Sequence, residues 1–292
     1  MINRQALIGL LGANIMKSLA PALHIDAFAA AGITGHYHLM DADHLPGRRL
    51  KDLLEAVKTA GFLGVNVTFP FKQEVMSLLD ELSPEAKQTG AVNTVTIGKT
   101  GHTVGHNTDR SGFRLNFEDG LGRAAAENKT AVLVGAGGAG SAVAFALMDL
   151  GLKTLIVHDT DTARATSLAA DVIAHYGAGR CRLSDRLAED IAGADGLANA
   201  TPIGMAGFPG NPVPMAAVRR EHWIADVIYT PMETELIRAA RAKGTRTLTG
   251  GGMCVHQAVE AFRLFTGIAP DAARMHGVFA SALAERDKVL EA

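Results

Sequence analysis

The sequence predicts an α/β protein with two domains, each built on a mostly parallel β-sheet. Two observations predict this class. Short apolar runs of strand length alternate with helical patterns in two separate tracts, and a cluster of glycines directly follows one of the runs. Such alternation is typical of βαβ units, in which helices cover both faces of a parallel sheet. The 292 residues are enough for two domains with buried cores.

The first tract covers residues 5–112 and is predicted to form four strands and three helices. The strands are predicted at residues 7–11, 36–40, 64–67 and 91–97. The helices are predicted at residues 21–31, 50–60 and 74–82. The first two helices show the helical spacing of apolar residues, whereas the third is predicted from its position after the motif NVTFPFK.

The second tract, residues 130–249, alternates more regularly. Its strands are predicted at residues 131–134, 154–158, 196–199, 224–228 and 246–248. Its helices are predicted at residues 141–150, 162–176 and 234–243. Residues 253–288 continue with a helical pattern and no further strand. We therefore expect one discontinuous domain, residues 1–113 with 251–292, and a second domain at residues 114–250.

Composition and charge exclude several classes of function. Charged residues make up 20% of the chain and the formal net charge is -2, so no basic field favours nucleic acid or an anionic membrane. Cys181 and Cys254 lie far apart without metal-ligand spacing, which predicts free thiols in a reducing compartment and no metal site. The N-terminus lacks a secretion-signal pattern, and four glycines interrupt the uncharged stretch at residues 131–148. We therefore expect a soluble, cytoplasmic protein.

The glycine cluster GAGGAG, at residues 135–140, fits the dinucleotide-binding pattern G-x-G-x-x-G. Gly135 suits a tight turn, Gly137 lets the backbone approach a pyrophosphate, and Gly140 lets the helix pack closely on the strand. Gly138 lies in the same loop, and the following helix N-terminus offers unpaired N–H groups to phosphates. The loop stands between a predicted strand and a predicted helix, which is the context of a Rossmann domain. A merely structural glycine turn is the alternative.

Asp159 ends the second strand of this tract, 24 residues after Gly135. A carboxylate at that position accepts hydrogen bonds from the adenosine ribose hydroxyls of NAD and repels the 2′-phosphate of NADP. No Arg or Lys is adjacent to Asp159, and Arg164, five residues on, is expected to stack near the adenine or to face solvent. NAD is therefore favoured over NADP. The alternative is that Asp159 only caps the next helix.

With a nicotinamide cofactor, the site also needs a group that moves a proton as the hydride is transferred. Lys72 ends the apolar motif NVTFPFK, and Asp109 lies in GHNTDRSGF at residues 105–113. Between them, GAVNTV puts the polar Asn93 in an otherwise apolar strand. A lysine paired with an aspartate would stay charged and the pair could share the proton. The plainer interpretations are a lysine whose tip reaches solvent and an exposed carboxylate in a turn.

Seven motifs stand in the order found in the shikimate/quinate dehydrogenase family. They are NVTFPFK, GAVNTV, NTD, GAGGAG, NATPIGM (199–205), DVIYTPMETE (226–235) and GGMCVHQAVEAF (251–262). The resemblance covers nearly the whole chain. It looks closest to the NAD-preferring quinate/shikimate dehydrogenases, because HDT at residues 158–160 replaces the Asn-Arg-Thr of NADP-using relatives.

The resemblance implies roles for individual residues. Lys72 and Asp109 match the catalytic pair, and Lys72 is accordingly expected to be buried. The residues expected to hold the substrate are Ser18, Asn66, Thr68, Asn93, Tyr229 and Gln257. The residues expected at the nicotinamide half of the cofactor are Thr201, Pro202, Met205, Val227 and Gly250. The site is expected in a cleft at the carboxyl ends of the Rossmann strands.

His256 stands next to Gln257 and is a candidate general acid, but in the family pattern the glutamine is the residue that contacts the substrate. We therefore expect His256 to pack against its neighbours. The same interpretation applies to three other histidines, His102, His106 and His158.

One position departs from the family pattern. The carboxylate-binding loop usually carries two hydroxyl residues, in Ser-x-Ser-Pro or Ser-x-Thr-Pro, whereas KSLAP here keeps Ser18 and has Ala20 in the second position. A hydrogen bond to a charged group contributes roughly 1.5–3 kcal/mol, so its loss weakens carboxylate binding about ten- to a hundredfold. Either another donor such as Lys17 compensates, or the substrate differs from ordinary shikimate.

The resemblance implies an NAD-dependent oxidoreductase that interconverts shikimate- or quinate-type cyclic hydroxy acids and their 3-dehydro ketones, in aromatic amino acid biosynthesis or quinate metabolism. A small molecule is the expected partner, and a homodimer is the assembly considered. One alternative is a dinucleotide-sensing protein without turnover, which would not need both Lys72 and Asp109. Another is a dehydrogenase for a different substrate, such as a folate derivative or an amino-substituted quinate analogue. A folate enzyme would not need Asn66, Thr68, Asn93 and Gln257 together.

Overall fold

The structure is a computed structural model and describes residues 5–291. The chain forms two units: one extends up to Thr108 and resumes at Val255, and the other is Asp109–Cys254. The strands are β1 Gln5–Gly12, β2 Thr34–Asp41, β3 Gly64–Val67, β4 Glu81–Leu82, β5 Thr94–Ile97, β6 Thr103–His106, β7 Thr130–Val134, β8 Thr154–His158, β9 Cys181–Leu183, β10 Gly196–Asn199, β11 Trp223–Asp226 and β12 Arg246–Leu248. The helices are α1 Ala20–Ala30, α2 Leu50–Thr59, α3 Pro84–Thr89, α4 Asp109–Gly120, α5 Gly138–Asp149, α6 Thr162–Tyr176, α7 Leu187–Gly193, α8 Glu235–Ala242, α9 Gly251–Thr266 and α10 Ala272–Glu291.

The sheet of the first unit has the order β2-β1-β3-β5-β6-β4 in the described residues. Strand β1 pairs in parallel with β2 and β3, and β4 pairs in parallel with β6. Strand β5 is antiparallel to β3 and β6. The sheet is therefore mostly parallel, as predicted. Because β1 and β3 are parallel neighbours, the loops that follow them leave the sheet at the same edge.

Successive residues of β3 pack on opposite faces of this sheet, as the pleat of a strand requires. Val65 and Val67 join a cluster with the apolar face of α2, whose buried residues recur at helical spacing: Leu50, Leu53, Leu54 and Val57. Gly64 faces α9, where a Cβ atom on the glycine would collide with the ring of Phe265. Helices thus cover both faces of the central strand.

His24 of α1 is buried in the first unit, and its Nδ1 atom has no hydrogen-bond partner among the described residues. Its ring stacks on Tyr37 of β2, with the ring centroids 4.7 Å apart. Burial lowers the pKa of His24 to about 3, because a charged imidazolium would lose its hydration there. His24 is therefore a neutral core residue near neutral pH.

The helix predicted at residues 74–82 is wrong. The chain instead makes the 3-10 turn Glu74–Leu78 and then strand β4. The carboxylate of Asp80 accepts hydrogen bonds from the backbone N and the Oγ1 of Thr103, both at 2.8 Å, and so holds this segment beside β6. Strand β6 has no counterpart in the sequence prediction, because TVGH carries little apolar signal. Pairing with a distant segment overrides the local pattern here.

The sheet of the second unit is parallel throughout its described strands, in the order β12-β11-β10-β7-β8-β9. This is the doubly wound order, in which the direction of winding reverses beside β7. Phe117 of α4 and Phe145 of α5 belong to the core on one side of the sheet, and Ile191 of α7 and Ile237 of α8 belong to a second core cluster. All five strands predicted for this tract are present, and β9 is an additional edge strand. The predicted α/β class is confirmed.

Three general features bear on the site. Among the described helices, none combines the length and apolar character needed to span a membrane. Within residues 5–291, no three side chains of His, Cys, Asp and Glu are grouped as metal ligands would be. Cys181 and Cys254 are buried and form no disulfide bond, and burial raises the pKa of Cys181 to about 12. The Cys181 thiol therefore stays protonated near neutral pH.

Candidate active site

The loops that follow β1 and β3 are bonded to each other. The N–H of Ala13 donates to the carbonyl of Phe69 at 2.9 Å, and the N–H of Thr68 donates to the carbonyl of Leu11 at 2.9 Å. A Cβ atom on Gly12 would collide with the side chain of Thr68, so only glycine permits this approach. The predicted substrate residue Thr68 and the loop that leads to Ser18 therefore lie at one edge of the first sheet.

Ser18 stands just before α1, which begins at Ala20. Its Oγ accepts a hydrogen bond from the N–H of Ala20 at 3.2 Å, which leaves its own hydroxyl proton able to donate to a ligand. Ala20 is buried, with 9% of its surface exposed, and Lys17 is exposed. The unusual alanine is thus a packed residue beside the predicted carboxylate donor.

Asn66 on β3 is buried, and its side-chain amide has one orientation. Its Nδ2 donates to the carbonyl of Asn93 at 3.3 Å and to Oγ1 of Thr94 at 3.0 Å. Its Oδ1 accepts a hydrogen bond from the hydroxyl of Tyr37 at 3.0 Å. The backbone carbonyl of Asn93 can only accept a hydrogen bond, so the nitrogen of the Asn66 amide, and not its oxygen, has to face it. The remaining lone pair of Oδ1 is what Asn66 can offer a substrate hydroxyl.

Asn93 connects this network to Gln257. Its Oδ1 accepts from the N–H of Thr108 at 2.7 Å, and its Nδ2 donates to Oγ1 of Thr108 at 2.9 Å and to Oε1 of Gln257 at 3.2 Å. Asn66, Asn93 and Gln257 are therefore brought together although Gln257 is 164 positions from Asn93 in the chain. Three members of the network were not predicted from the sequence: Tyr37, Thr94 and Thr108. The hydroxyls of Thr94 and Thr108 beside the motif asparagines were the available signal.

Lys72 lies beside the GAVNTV segment, because its carbonyl accepts a hydrogen bond from the N–H of Val92 at 2.8 Å. The expectation that Lys72 is buried is wrong, since the residue is half-buried. The reason is that β3 ends at Val67 and the rest of NVTFPFK forms a surface loop, in which Phe69 is 63% exposed. Lys72 is therefore within reach of solvent as well as of the polar strand ends.

Asp109 is the first residue of α4 and is 4% exposed. The interpretation of Asp109 as an exposed carboxylate in a turn is therefore wrong. The start of α4 is fixed by the next residue, Arg110, whose Nε and Nη2 donate to the carboxylate of Asp149 on α5 at 2.7 and 2.8 Å. Tyr176 donates its hydroxyl proton to the same carboxylate at 2.6 Å. A partly buried ion pair thus holds the helix that carries Asp109.

The glycine loop between β7 and α5 is closely packed at Gly135 and Gly140 and open at Gly137. Gly135 has φ +101°, and a Cβ atom there would lie 2.8 Å from the backbone carbon of Ala200. A Cβ atom on Gly140 would collide with the carbonyl of Gly135. By contrast, a Cβ atom on Gly137 would have open space around it. Gly138 begins α5, so the loop presents a helix N-terminus toward that space.

Asp159 follows β8 and binds the glycine loop. Its Oδ2 accepts from the N–H of Ala136 at 2.6 Å, and its Oδ1 accepts from the N–H of Asp161 at 2.8 Å. The cap of α6 is Asp161, so the alternative interpretation of Asp159 as the helix cap is wrong. Arg164 is exposed and pairs with Asp161 at 3.2 Å. Of these three side chains, Asp159 is therefore the one that is hydrogen-bonded to the glycine loop.

The residues predicted for the nicotinamide half lie on loops after β10, β11 and β12. Gly250 approaches the backbone so closely that a Cβ atom there would collide with the carbonyl of Val227. Thr201 and Met205 are half-buried, Pro202 is exposed, and Tyr229 is half-buried in the loop after β11. These positions share the carboxyl edge of the parallel sheet, where ligands bind in open α/β sheets.

The four histidines have the surroundings expected of packing or surface groups. The ring of His256 packs edge-on against His276, with the centroids 5.1 Å apart. His102 is exposed near Asp80, and His158 is half-buried. Burial lowers the pKa of His106, which lies 3.3 Å from Oγ1 of Thr96.

Two family models match this chain. The shikimate dehydrogenase substrate binding domain matches residues 10–95, and the shikimate 5′-dehydrogenase C-terminal domain matches residues 250–278. A quinate/shikimate dehydrogenase (NAD(+)) of Corynebacterium glutamicum is 48% identical over 286 residues, which are 96% of this chain and 100% of the relative. A shikimate dehydrogenase (NADP(+)) of Streptomyces avermitilis is 47% identical over 273 residues, which are 92% of this chain and 93% of the relative.

Solved structures resemble the same chain over its length. Quinate dehydrogenase from Corynebacterium glutamicum, in complex with NAD, has a TM-score of 0.88 at 46% identity and covers 96% of this chain and 100% of its own. Shikimate 5-dehydrogenase from Thermus thermophilus, in complex with NADP(H) and shikimate, has a TM-score of 0.82 at 35% identity, with 95% and 100% covered.

Proposed function

The chain belongs to the shikimate/quinate dehydrogenase family, and we therefore propose that it is an NAD-dependent oxidoreductase that interconverts quinate- or shikimate-type cyclic hydroxy acids and their 3-dehydro ketones. The observation that carries this proposal is the network that joins Asn66, Asn93 and Gln257 at the strand ends of the first unit. A cluster of amides held by threonine hydroxyls suits a polyhydroxylated ring, because each amide has a fixed donor and acceptor side.

The proposed chemistry divides between cofactor and chain. NAD, when bound, accepts the hydride from the substrate carbon. The proton of the substrate hydroxyl has to go to the protein, and we assign its transfer to Lys72 and Asp109. Asn66, Thr68 and Asn93 bind ring hydroxyls with Gln257 and Tyr229, and Ser18 donates to the carboxylate.

The preference for NAD over NADP depends on local residues and not on overall similarity. The NAD(+) and NADP(+) relatives described above are almost equally identical to this chain, at 48% and 47%. Asp159 supports NAD, because a carboxylate beside the glycine loop would repel a 2′-phosphate and the chain has no adjacent Arg or Lys. We propose that the glycine loop binds the pyrophosphate.

We further propose that the discontinuous unit is the substrate domain and that the continuous unit, Asp109–Cys254, binds NAD. A homodimer and a cytoplasmic location stay predictions.

The proposal is tested by NADH production. The purified protein should reduce NAD when quinate or shikimate is supplied, and amino-substituted analogues belong in the same series of assays. Binding of NAD without turnover of any of these acids would favour a dinucleotide-sensing protein. Failure to bind NAD and failure to oxidise every acid would together contradict the proposal.

Ala20 provides a test of the substrate. Ala20→Ser should lower the KM for quinate or shikimate by up to about tenfold, because it restores a hydroxyl next to Ser18. The kcat should change little, since such a contact is present in the ground state and the transition state alike. Steady-state kinetics across the acids measures both constants, and Ala29→Ser, at the exposed far end of α1, is the matched control.

The direction in which KM changes in Ala20→Ser shows which substrate suits the loop. A higher KM for one acid would show that Ala20 makes room for a substituent of that substrate. The same KM for every acid would contradict a role of Ala20 in binding.

A further inference from the structure

Asn199 and Asp226 form a buried pair at the ends of the neighbouring parallel strands β10 and β11, and neither has a role in the site described so far. Asn199 is fully buried and Asp226 is 2% exposed. Resting on the proposed function, we propose that Asp226, together with Asn199, is a positioning residue that holds the two loops around the nicotinamide half of NAD.

The carboxylate of Asp226 accepts three hydrogen bonds. Its Oδ1 accepts from Nδ2 of Asn199 and from the N–H of Ile228, both at 3.1 Å. Its Oδ2 accepts from the hydroxyl of Thr234 at 2.7 Å, and Thr234 in turn caps α8 by accepting from the N–H of Ile237. Asp226 thus ties the end of β11, the loop after it and the start of α8 together.

Asn199 does the same for the loop after β10. Its Oδ1 accepts from the N–H of Thr201 at 3.0 Å and from the Thr201 hydroxyl at 2.7 Å. Its Nδ2 donates to the carbonyl of Ile203 at 3.4 Å as well as to Asp226. Because Nδ2 faces two groups that accept, the amide has one orientation, and Thr201 is fixed on its oxygen side.

Backbone hydrogen bonds join the two loops above this pair. The N–H of Ala206 donates to the carbonyl of Thr230 at 3.2 Å, and the N–H of Val227 donates to the carbonyl of Asn199 at 3.1 Å. The N–H of Gly250 donates to the carbonyl of Ile228 at 3.2 Å. A shift of Asp226 would therefore move all three loops.

Sheet topology indicates which half of a dinucleotide these loops face. The glycine loop follows β7, and Asp159 follows β8 on one side of it. Strands β10 and β11 lie on the other side of β7. A dinucleotide spans the crevice where the strand order reverses, so with adenosine over β8 the nicotinamide end lies over β10 and β11.

The burial of Asp226 is unfavourable for a charge. Burial raises the pKa of Asp226 to about 6, although its three hydrogen bonds act in the opposite direction. Such a hydrogen-bonded polar pair fixes one geometry more strictly than apolar packing does, because hydrogen bonds are directional. That property suits a residue whose role is to hold ligand-binding loops.

The test compares two ligands of one site by calorimetric titration: NAD, and ADP, which has the adenosine and phosphate groups but no nicotinamide. In Asp226→Ala the Kd for NAD should rise about tenfold or more, because the loops lose their shared anchor. The Kd for ADP should stay within about twofold. Asp226→Asn keeps an oxygen that can accept from Ile228 and Asn199, and should recover most of the affinity for NAD.

Tyr176→Phe is the matched control, because it removes a hydroxyl that donates to Asp149 elsewhere in the same unit. In this variant the Kd values for NAD and for ADP should both equal those of the parent protein. A parallel rise of both Kd values in Asp226→Ala, or no rise in either, would overturn the inference. If Asp226→Ala does not fold, Asn199→Ala is titrated in its place, and a ratio of its two Kd values equal to the parent's would overturn the inference. A parent protein that binds ADP but not NAD would refute the proposed function itself.

Discussion

Lys72→Ala should lower turnover of quinate or shikimate by at least about 100-fold, while the binding of NAD persists. A loss of this size is what one general acid–base group contributes. Lys72 is half-buried at the end of the loop after β3, and its backbone carbonyl accepts from Val92. The loop therefore keeps this contact when the side chain is removed. Turnover is measured as NADH formation at saturating substrate, and NAD binding by calorimetry.

Further variants separate chemistry from packing at Lys72. Lys72→Met keeps most of the apolar stem without the ammonium, so it should lose as much turnover as Lys72→Ala. Asp109→Asn keeps the shape of a buried side chain without its charge and should act similarly. Lys87→Ala removes an exposed lysine of α3 and should leave turnover unchanged. Normal turnover in both Lys72→Met and Asp109→Asn would contradict a catalytic role for Lys72 and would favour the alternative interpretation, a lysine whose tip reaches solvent.

Asp159→Ala should lower kcat/KM with NAD by about ten- to a hundredfold, because hydrogen bonds from the ribose to a charged acceptor contribute roughly 1.5–3 kcal/mol. At the same time kcat/KM with NADP should rise, since the repulsion of the 2′-phosphate is removed. Both values are measured with the same acid at the same ionic strength, because charge repulsion is screened by salt. The parent protein should prefer NAD, and equal use of NAD and NADP by the parent would contradict the assignment.

The hydrogen bond between Asp159 and the N–H of Ala136 makes a second variant necessary. Asp159→Ala removes both the charge and this support of the glycine loop. Asp159→Asn retains an oxygen that can accept from Ala136 and removes only the charge. If charge decides cofactor choice, Asp159→Asn should also gain activity with NADP. If only Asp159→Ala gains activity with NADP, the geometry of the glycine loop, and not the charge, decides the choice of cofactor.

Most of the fold is predictable because βαβ alternation leaves a strong local signal. The five strands predicted for the second unit are all present, and their parallel order follows from the alternation with helices. The failures are short elements whose structure depends on a distant partner. Residues 74–82 were predicted as helix, yet the bond between Asp80 and Thr103 turns their end into a strand. Asp80 and Thr103 are 23 positions apart, which is farther than a local secondary-structure pattern extends.

The site shows the same division between local and distant information. The motifs point to Asn66 and Asn93, and the structure brings these two together with Gln257. The hydrogen bond that the Tyr37 hydroxyl donates to Oδ1 of Asn66, in contrast, joins residues that are 29 positions apart on different strands. Asp226 lies within the strand predicted at residues 224–228, but only its partners at the end of β10 and before α8 indicate what it holds. Partners of this kind are set by the register of the sheet.

The buried, stacked imidazole of His24 has a consequence for the stability of the protein in acid. In the unfolded chain this ring binds a proton below about pH 6.5, whereas burial in the native chain lowers its pKa to about 3. Between these two values the unfolded chain holds one proton more than the folded chain. The free energy of unfolding therefore falls as pH falls, by about 1.4 kcal/mol for each pH unit in that interval. A single buried histidine stacked on Tyr37 thus makes the stability of the first unit sensitive to acidification.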